Sequence, residues 1–183
     1  LFDNPYIKDT KAADKIVSSP DTKTFVKQMA RESLVLLKNE KQLLPLQLNN
    51  LKRILVTGPL AIDTTAYVSR YGPQNLNVTH VLEGIQNYVG KRAEVTYIKG
   101  CEVVDATWSE SEIIPTPLTG KEKSNIAQAV EQAKRSDVII AVLGEDEARC
   151  GESKTRTSLD LPGRQLQLLQ ALHETGKPIV LVL

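Results

Sequence analysis

The chain has 183 residues, 41% hydrophobic and 25% charged, with 23 basic against 22 acidic residues for a net charge of +1. This suits a globular domain with a substantial core, and the even charge balance offers no footprint for nucleic acid or an anionic membrane. No apolar run approaches the roughly 20 residues of a membrane-spanning helix, and no basic start followed by an apolar block marks a signal peptide.

Residues 1–20 are polar, with scattered aromatics and two prolines. They read as a linker or extended arm, and Phe2, Pro5 and Tyr6 favour one that docks on a surface over one that frays. Asp21 is an expected N-cap, and Phe25, Met29, Leu34, Leu36 and Leu37 give a helical stripe through Asn39. A loop follows to Asn50, with Leu43, Leu44 and Leu46 expected against the domain. RILVT at 53–57 is a continuous apolar run ended by Gly58-Pro59, as in a core parallel strand.

The periodicity predicts a helix over 79–89, closed by Gly90, and a strand over 94–98. Residues 103–123, with Trp108, Pro115 and Pro117, read as a long surface excursion. Ser124 is the expected cap of a helix carrying Ile126, Ala129, Val130 and Ala133. A strand over 138–143, a helix over 163–175 ended by Gly176, and a strand over 179–183 complete the pattern. Strands alternating with helices specify a parallel sheet covered on both faces, a three-layer α/β/α sandwich of flavodoxin-like type. The chain begins without Met and stops inside an apolar strand, so the sandwich is expected to be incomplete at its C-terminus.

Nucleotide phosphate cradles of the GxGxxG and GxxxxGK[ST] types are absent, as is a GxSxG nucleophile elbow. His80 and His173 have no metal spacing and read as solvated or packed on their helices. Cys101 and Cys150 form no framework; two separate reduced thiols are the preferred reading, with a bridge between neighbouring loops left open. No cofactor and no metal ion is expected.

The loop after the 138–143 run is different. Glu145, Asp146, Glu147 and Glu152 lie there among Arg149, Lys154 and Arg156. Most connections of this kind need only about 2–6 residues, and ligands of open α/β sheets gather beyond the strands' carboxyl ends. Any one carboxylate can be a solvated, salt-bridged surface group. Glu152, flanked by Gly151 and Ser153, projects without crowding, and Arg156 is placed to hold it or to orient the loop. A carboxylate on such a loop can act as a general acid when burial raises its pKa. Glycoside hydrolysis needs a second carboxylate about 5–5.5 Å away for retention, and the chain offers no obvious one.

A series of segments carries a family resemblance. They are LFDNPY (1–6), ARESLVLLKNEKQLLPL (30–46), ILVTGPLA (54–61), YGPQN (71–75), VLEGI (81–85), YIKGC (97–101), SDVIIAVLGE (136–145), GESKTRTSLDLPGRQLQLLQAL (151–172) and GKPIVLVL (176–183). No single segment is diagnostic; in this order they cover nearly the whole chain. The chain resembles the second domain of glycoside hydrolase family 3 enzymes, the β-glucosidase and β-xylosidase group.

The resemblance implies an α/β sandwich that follows a (β/α)8 barrel. It places the nucleophilic Asp on the barrel and the acid/base Glu on a sandwich loop, with retention through a glycosyl-enzyme intermediate. Residues 1–20 would then be the interdomain linker and 21–183 the partial sandwich domain. Glu152 is the implied acid/base, with Glu147 as fallback because this loop varies in length across the family; Arg156 would bind substrate or orient the loop. The implied partners are a β-linked glucoside or xyloside oligosaccharide and the missing N-terminal barrel, with no nucleic acid and no membrane span. A periplasmic or secreted location follows from the resemblance alone. Truncation accounts for the missing second carboxylate, and the isolated chain is expected to be inactive. The readings from other classes are a non-catalytic carbohydrate-binding or interaction module of flavodoxin-like fold and a regulatory flavodoxin-like domain.

Overall fold

Four short parallel strands form the centre of the computed structural model, which describes residues 8–65, 78–105 and 116–183 together with Asp3 and Tyr6. The expectations for Phe2, Pro5, 71–75, Trp108 and Pro115 lie outside the described residues. The chain divides into two compact units, Leu1–Pro45 and Leu46–Leu183.

Within residues 1–20, Thr10–Val17 is helical where an extended arm was expected, and a helix follows it as expected. Asp9 accepts the Ala12 N–H at 3.1 Å and starts α1, Thr10–Val17. Ser19 accepts the Thr22 N–H at 3.1 Å and starts α2, Pro20–Glu32, with Pro20 at the first helical position. Proline belongs there because its missing N–H costs nothing. The cap is therefore Ser19 rather than Asp21. The helix also stops at Ser33, short of Asn39, and Leu34–Leu37 are non-helical and exposed. Tyr6, expected to dock, is 81% exposed. The Asn39 carboxamide donates to the Leu44 carbonyl at 2.8 Å and accepts the Leu44 N–H at 3.0 Å, closing the turn between them.

The second unit holds β1 (Arg53–Thr57), β2 (Glu94–Ile98), β3 (Val138–Val142) and β4 (Ile179–Val182), in the spatial order β2-β1-β3-β4 and all parallel. Its helices are α3 (Val81–Val89), α4 (Gly120–Lys134) and α5 (Gln165–His173), with a 3-10 turn over Pro59–Ile62. Side chains alternate across the pleat. Leu55, Ile139 and Ala141 face Ile126, Ala129 and Ala133 of α4 and Leu168 and Leu172 of α5. Ile54, Val56, Val138, Ile140 and Val142 face Leu82 and Val89 of α3, with Ala61. The three layers are the α/β sandwich read from the sequence. All five residues of β3 are buried, as a central parallel strand covered on both faces requires.

Several boundaries move by one or more residues, those of α3 and α4 through their caps. His80 precedes α3 instead of lying within it, and its Nδ1 accepts the Glu83 N–H at 3.2 Å as an N-cap. Helix α4 begins at Thr119, not Ser124. The Thr119 hydroxyl accepts the Glu122 N–H at 3.2 Å, and the Glu122 carboxylate accepts the Thr119 N–H at 2.6 Å, a reciprocal capping box. At the opposite end of the sheet, the Asp137 carboxylate accepts the N–H groups of Lys52 and Arg53 at 2.7 and 2.8 Å. Those bonds hold its pKa below the ordinary value and tie the start of β3 to that of β1.

Candidate functional site

After β1 the chain crosses to β2 on one side, whereas β3 lies on the other. Connections that diverge in this way leave a crevice at the strands' carboxyl ends. A depression of about 300 Å³ lies there, lined by Pro59, Leu60, Asp63, Lys99, Glu102 and Asp146 among others. Lys99 and Glu102 form an ion pair on its rim. The Tyr97 hydroxyl donates to the Gly58 carbonyl at 3.3 Å. Burial, then the charges of Glu102 and Cys101, push its pKa up to about 12, so it remains a donor.

The loop beyond β3 is built from short, local interactions. Arg149 holds both Asp146 oxygens, at 2.6 and 2.7 Å, and the Arg149 N–H returns to the Asp146 carbonyl at 3.1 Å. Glu147 sits half-buried in that turn. Arg156 pairs with Glu145 and donates to the Asp160 carbonyl at 2.9 Å. The Cys150 thiol donates to the second Glu145 oxygen at 3.0 Å. That bond, followed by burial, raises the Cys150 pKa. The Lys154 N–H bonds the Gly151 carbonyl at 3.1 Å, which closes a second turn with Glu152 and Ser153 at its central positions. Ser153 has φ +63, as the third residue of such a turn can require. Glu152 is exposed and makes no hydrogen bond or ion pair among the described residues. Arg156 thus engages Glu145 and Asp160, and Glu152 projects outward from the next turn.

Both roots of the loop are fastened by residues the sequence reading passed over. Gln165, fully buried, accepts the Gly144 N–H at 2.9 Å and donates to the carbonyls of Gly144 at 2.8 Å and Pro162 at 3.1 Å. Arg164, also buried, donates to Glu122 at 2.8 Å, to the Thr116 carbonyl and hydroxyl at 2.9 and 2.8 Å, and to the Pro117 carbonyl at 3.2 Å. Burial alone would raise the Glu122 pKa, but its bonds from Arg164 and Thr119 outweigh this and hold it at about 2. The T-x-x-E spacing of Thr119 and Glu122 was the available signal for this node; buried Gln165 and Arg164 had none in the hydrophobic pattern.

Cys101 is buried and Cys150 exposed, and both are free. Among the described residues no group of three or more His, Cys, Asp or Glu could hold a metal ion, and no helix is long and apolar enough to cross a membrane.

Residues 34–183 match the family model of the Glycosyl hydrolase family 3 C-terminal domain. The whole chain aligns with a periplasmic β-glucosidase of Salmonella typhimurium at 37% identity, covering 25% of that protein, and with a β-xylosidase of Formosa agariphila at 30% identity, covering 24% of it. Among solved structures, a β-glucosidase of Erythrobacter marinus superposes with a TM-score of 0.75 at 32% identity, over 92% of this chain and 24% of that one. The chain therefore spans about a quarter of the length of these relatives. With its sandwich fold and a family match over most of its length, the chain belongs to glycosyl hydrolase family 3, as a C-terminal domain of that family.

Proposed function

We propose that this chain is the acid/base-bearing second domain of a retaining β-glycosidase of the β-glucosidase or β-xylosidase class. In the longer protein it would act on terminal, non-reducing β-linked sugars, with residues 1–20 as the link from a preceding barrel. The observation that carries the reading is Glu152, unpaired among the described residues and exposed on a turn beyond β3, in a chain of this family.

A retaining mechanism divides the work between two carboxyl groups about 5–5.5 Å apart. One attacks the anomeric carbon; the other first protonates the leaving oxygen and then takes a proton from the incoming water. Glu152 takes the second role. Covered by a sugar and a barrel wall it would lose water, and desolvation raises a carboxyl pKa toward that of a useful acid. Arg156, anchored by Glu145 and Asp160, orients the loop. The nucleophile belongs to the barrel, so the isolated chain hydrolyses no glycoside.

The test is made in the full-length protein. Glu152→Gln should lower kcat/KM on alkyl β-glycosides by about 100-fold or more while sparing kcat/KM on dinitrophenyl glycosides, whose leaving group needs no proton; slowed hydrolysis of the glycosyl-enzyme then limits kcat on the activated substrate. Azide should rescue Glu152→Ala on the activated substrate. Rescue at Glu147→Ala instead would transfer the role to Glu147.

A further inference from the structure

The last ladder bond of β3 runs from the Leu143 N–H to the Val182 carbonyl at 2.9 Å. One residue on, the sheet supplies Gly144 with no partner, and the Gln165 side chain takes that place. A primary amide presents an acceptor and two donors, and all three are used here: the oxygen on the Gly144 N–H, the nitrogen on the carbonyls of Gly144 and Pro162. Gly144 and Gln165 are 21 residues apart in sequence. The amide thus joins the point where the charged loop leaves β3 to the point where it enters α5. We infer that Gln165 is a positioning residue that locks both roots of this loop and thereby sets where Glu152 stands. The inference rests on the acid/base reading only for its catalytic consequence; the clamp itself is a matter of hydrogen bonds.

The chemistry of the clamp makes it testable. Gln165→Leu removes every partner at nearly constant volume. Gln165→Glu keeps the shape, but an ionised carboxylate has no donor and would face two carbonyl oxygens in a buried site. Protonated, it regains one O–H donor. Such a variant should hold the loop at low pH and release it at higher pH.

The experiment uses the full-length protein and two readouts. The first is exchange protection of the Gly144 amide, corrected for intrinsic pH dependence, at about pH 5 and about pH 8. Gln165→Leu should lose at least about tenfold protection at both values, and Gln165→Glu only at the higher one. The second is kcat and KM on an alkyl and a dinitrophenyl β-glycoside, relative to the parent at the same pH. Where the loop is released, kcat/KM on the alkyl substrate should fall by about tenfold or more relative to kcat/KM on the dinitrophenyl substrate. Parent-like protection of Gln165→Leu at both pH values overturns the clamp. Released protection with an equal loss of kcat/KM on both substrates supports the clamp and overturns the assignment of Glu152. If Gln165→Leu does not fold, Gln165→Met, which lacks both donors and is of similar volume, replaces it.

Discussion

Arg164 and Glu122 meet at 2.8 Å with both side chains buried, 42 residues apart in sequence. The pair joins the first turn of α4 to the start of α5 and so seats the end of the charged loop on the sheet's helical layer. Glu122→Ala would leave the guanidinium buried without its counter-charge, which typically costs about 3–5 kcal/mol. A urea unfolding midpoint at neutral pH measures this, and an unchanged midpoint would show the pair to be dispensable.

The same pair makes stability depend on acid. The Glu122 pKa is depressed from 4.5 to about 2 in the folded state. Its contribution is fully present above about 4.5 and is lost as pH falls from there toward about 2. Asp105 works in the opposite sense, because burial and then the neighbouring Glu122 charge raise its pKa, so it takes up a proton more readily when folded. Asp105→Asn should therefore raise the midpoint at neutral pH and steepen the loss on acidification. Midpoints measured across the acid range in the parent and the variant check both effects.

Two glycines with nearly equal backbone angles should respond unequally to alanine. Gly163 has φ +65, and a Cβ there would lie 2.2 Å from the Val103 carbonyl oxygen. Gly176 has φ +69 with nothing within 4 Å. Gly176→Ala should cost only the left-handed penalty of about 1–2 kcal/mol, whereas Gly163→Ala must also displace backbone and should cost more than about 3 kcal/mol. Thermal unfolding of the two variants side by side isolates the steric part.

The thiols should titrate as two separate groups. Cys150 is exposed, whereas Cys101 is buried and its pKa is pushed up to about 12 by burial, then by the charges of Asp105 and Glu102. A disulfide reagent should count one thiol in the native protein and a second only in denaturant. A native count of zero would mean that the two cysteines are bridged.

The strands were legible because β1, β2 and β3 are short runs stopped by a glycine or a polar turn, and β1 and β2 fall on the expected residues. The N-terminal region was harder to read: α1 is only eight residues long, and neither α1 nor α2 contains a buried residue. The apolar run Leu34–Leu37 then imitated a helical stripe that the chain does not form. At the site, the exposed charges of the loop advertised themselves, but the residues that fasten it did not. Gln165 and Arg164 are polar and buried, and their partners Gly144 and Glu122 lie 21 and 42 residues away. Such pairings follow from topology, and a local pattern does not encode them.

The closure of Gly144 on Gln165 turns the chain between them into a ring fastened to the core at its base, where Gly163 and Arg164 add their own contacts. Closing a longer ring is cheap: each doubling of length adds only about 0.6 kcal/mol of entropy. Residues can be added to or removed from the interior of that ring while the fastening, and the sheet beneath it, stay the same. The fold thus offers an interchangeable cassette on a fixed mount.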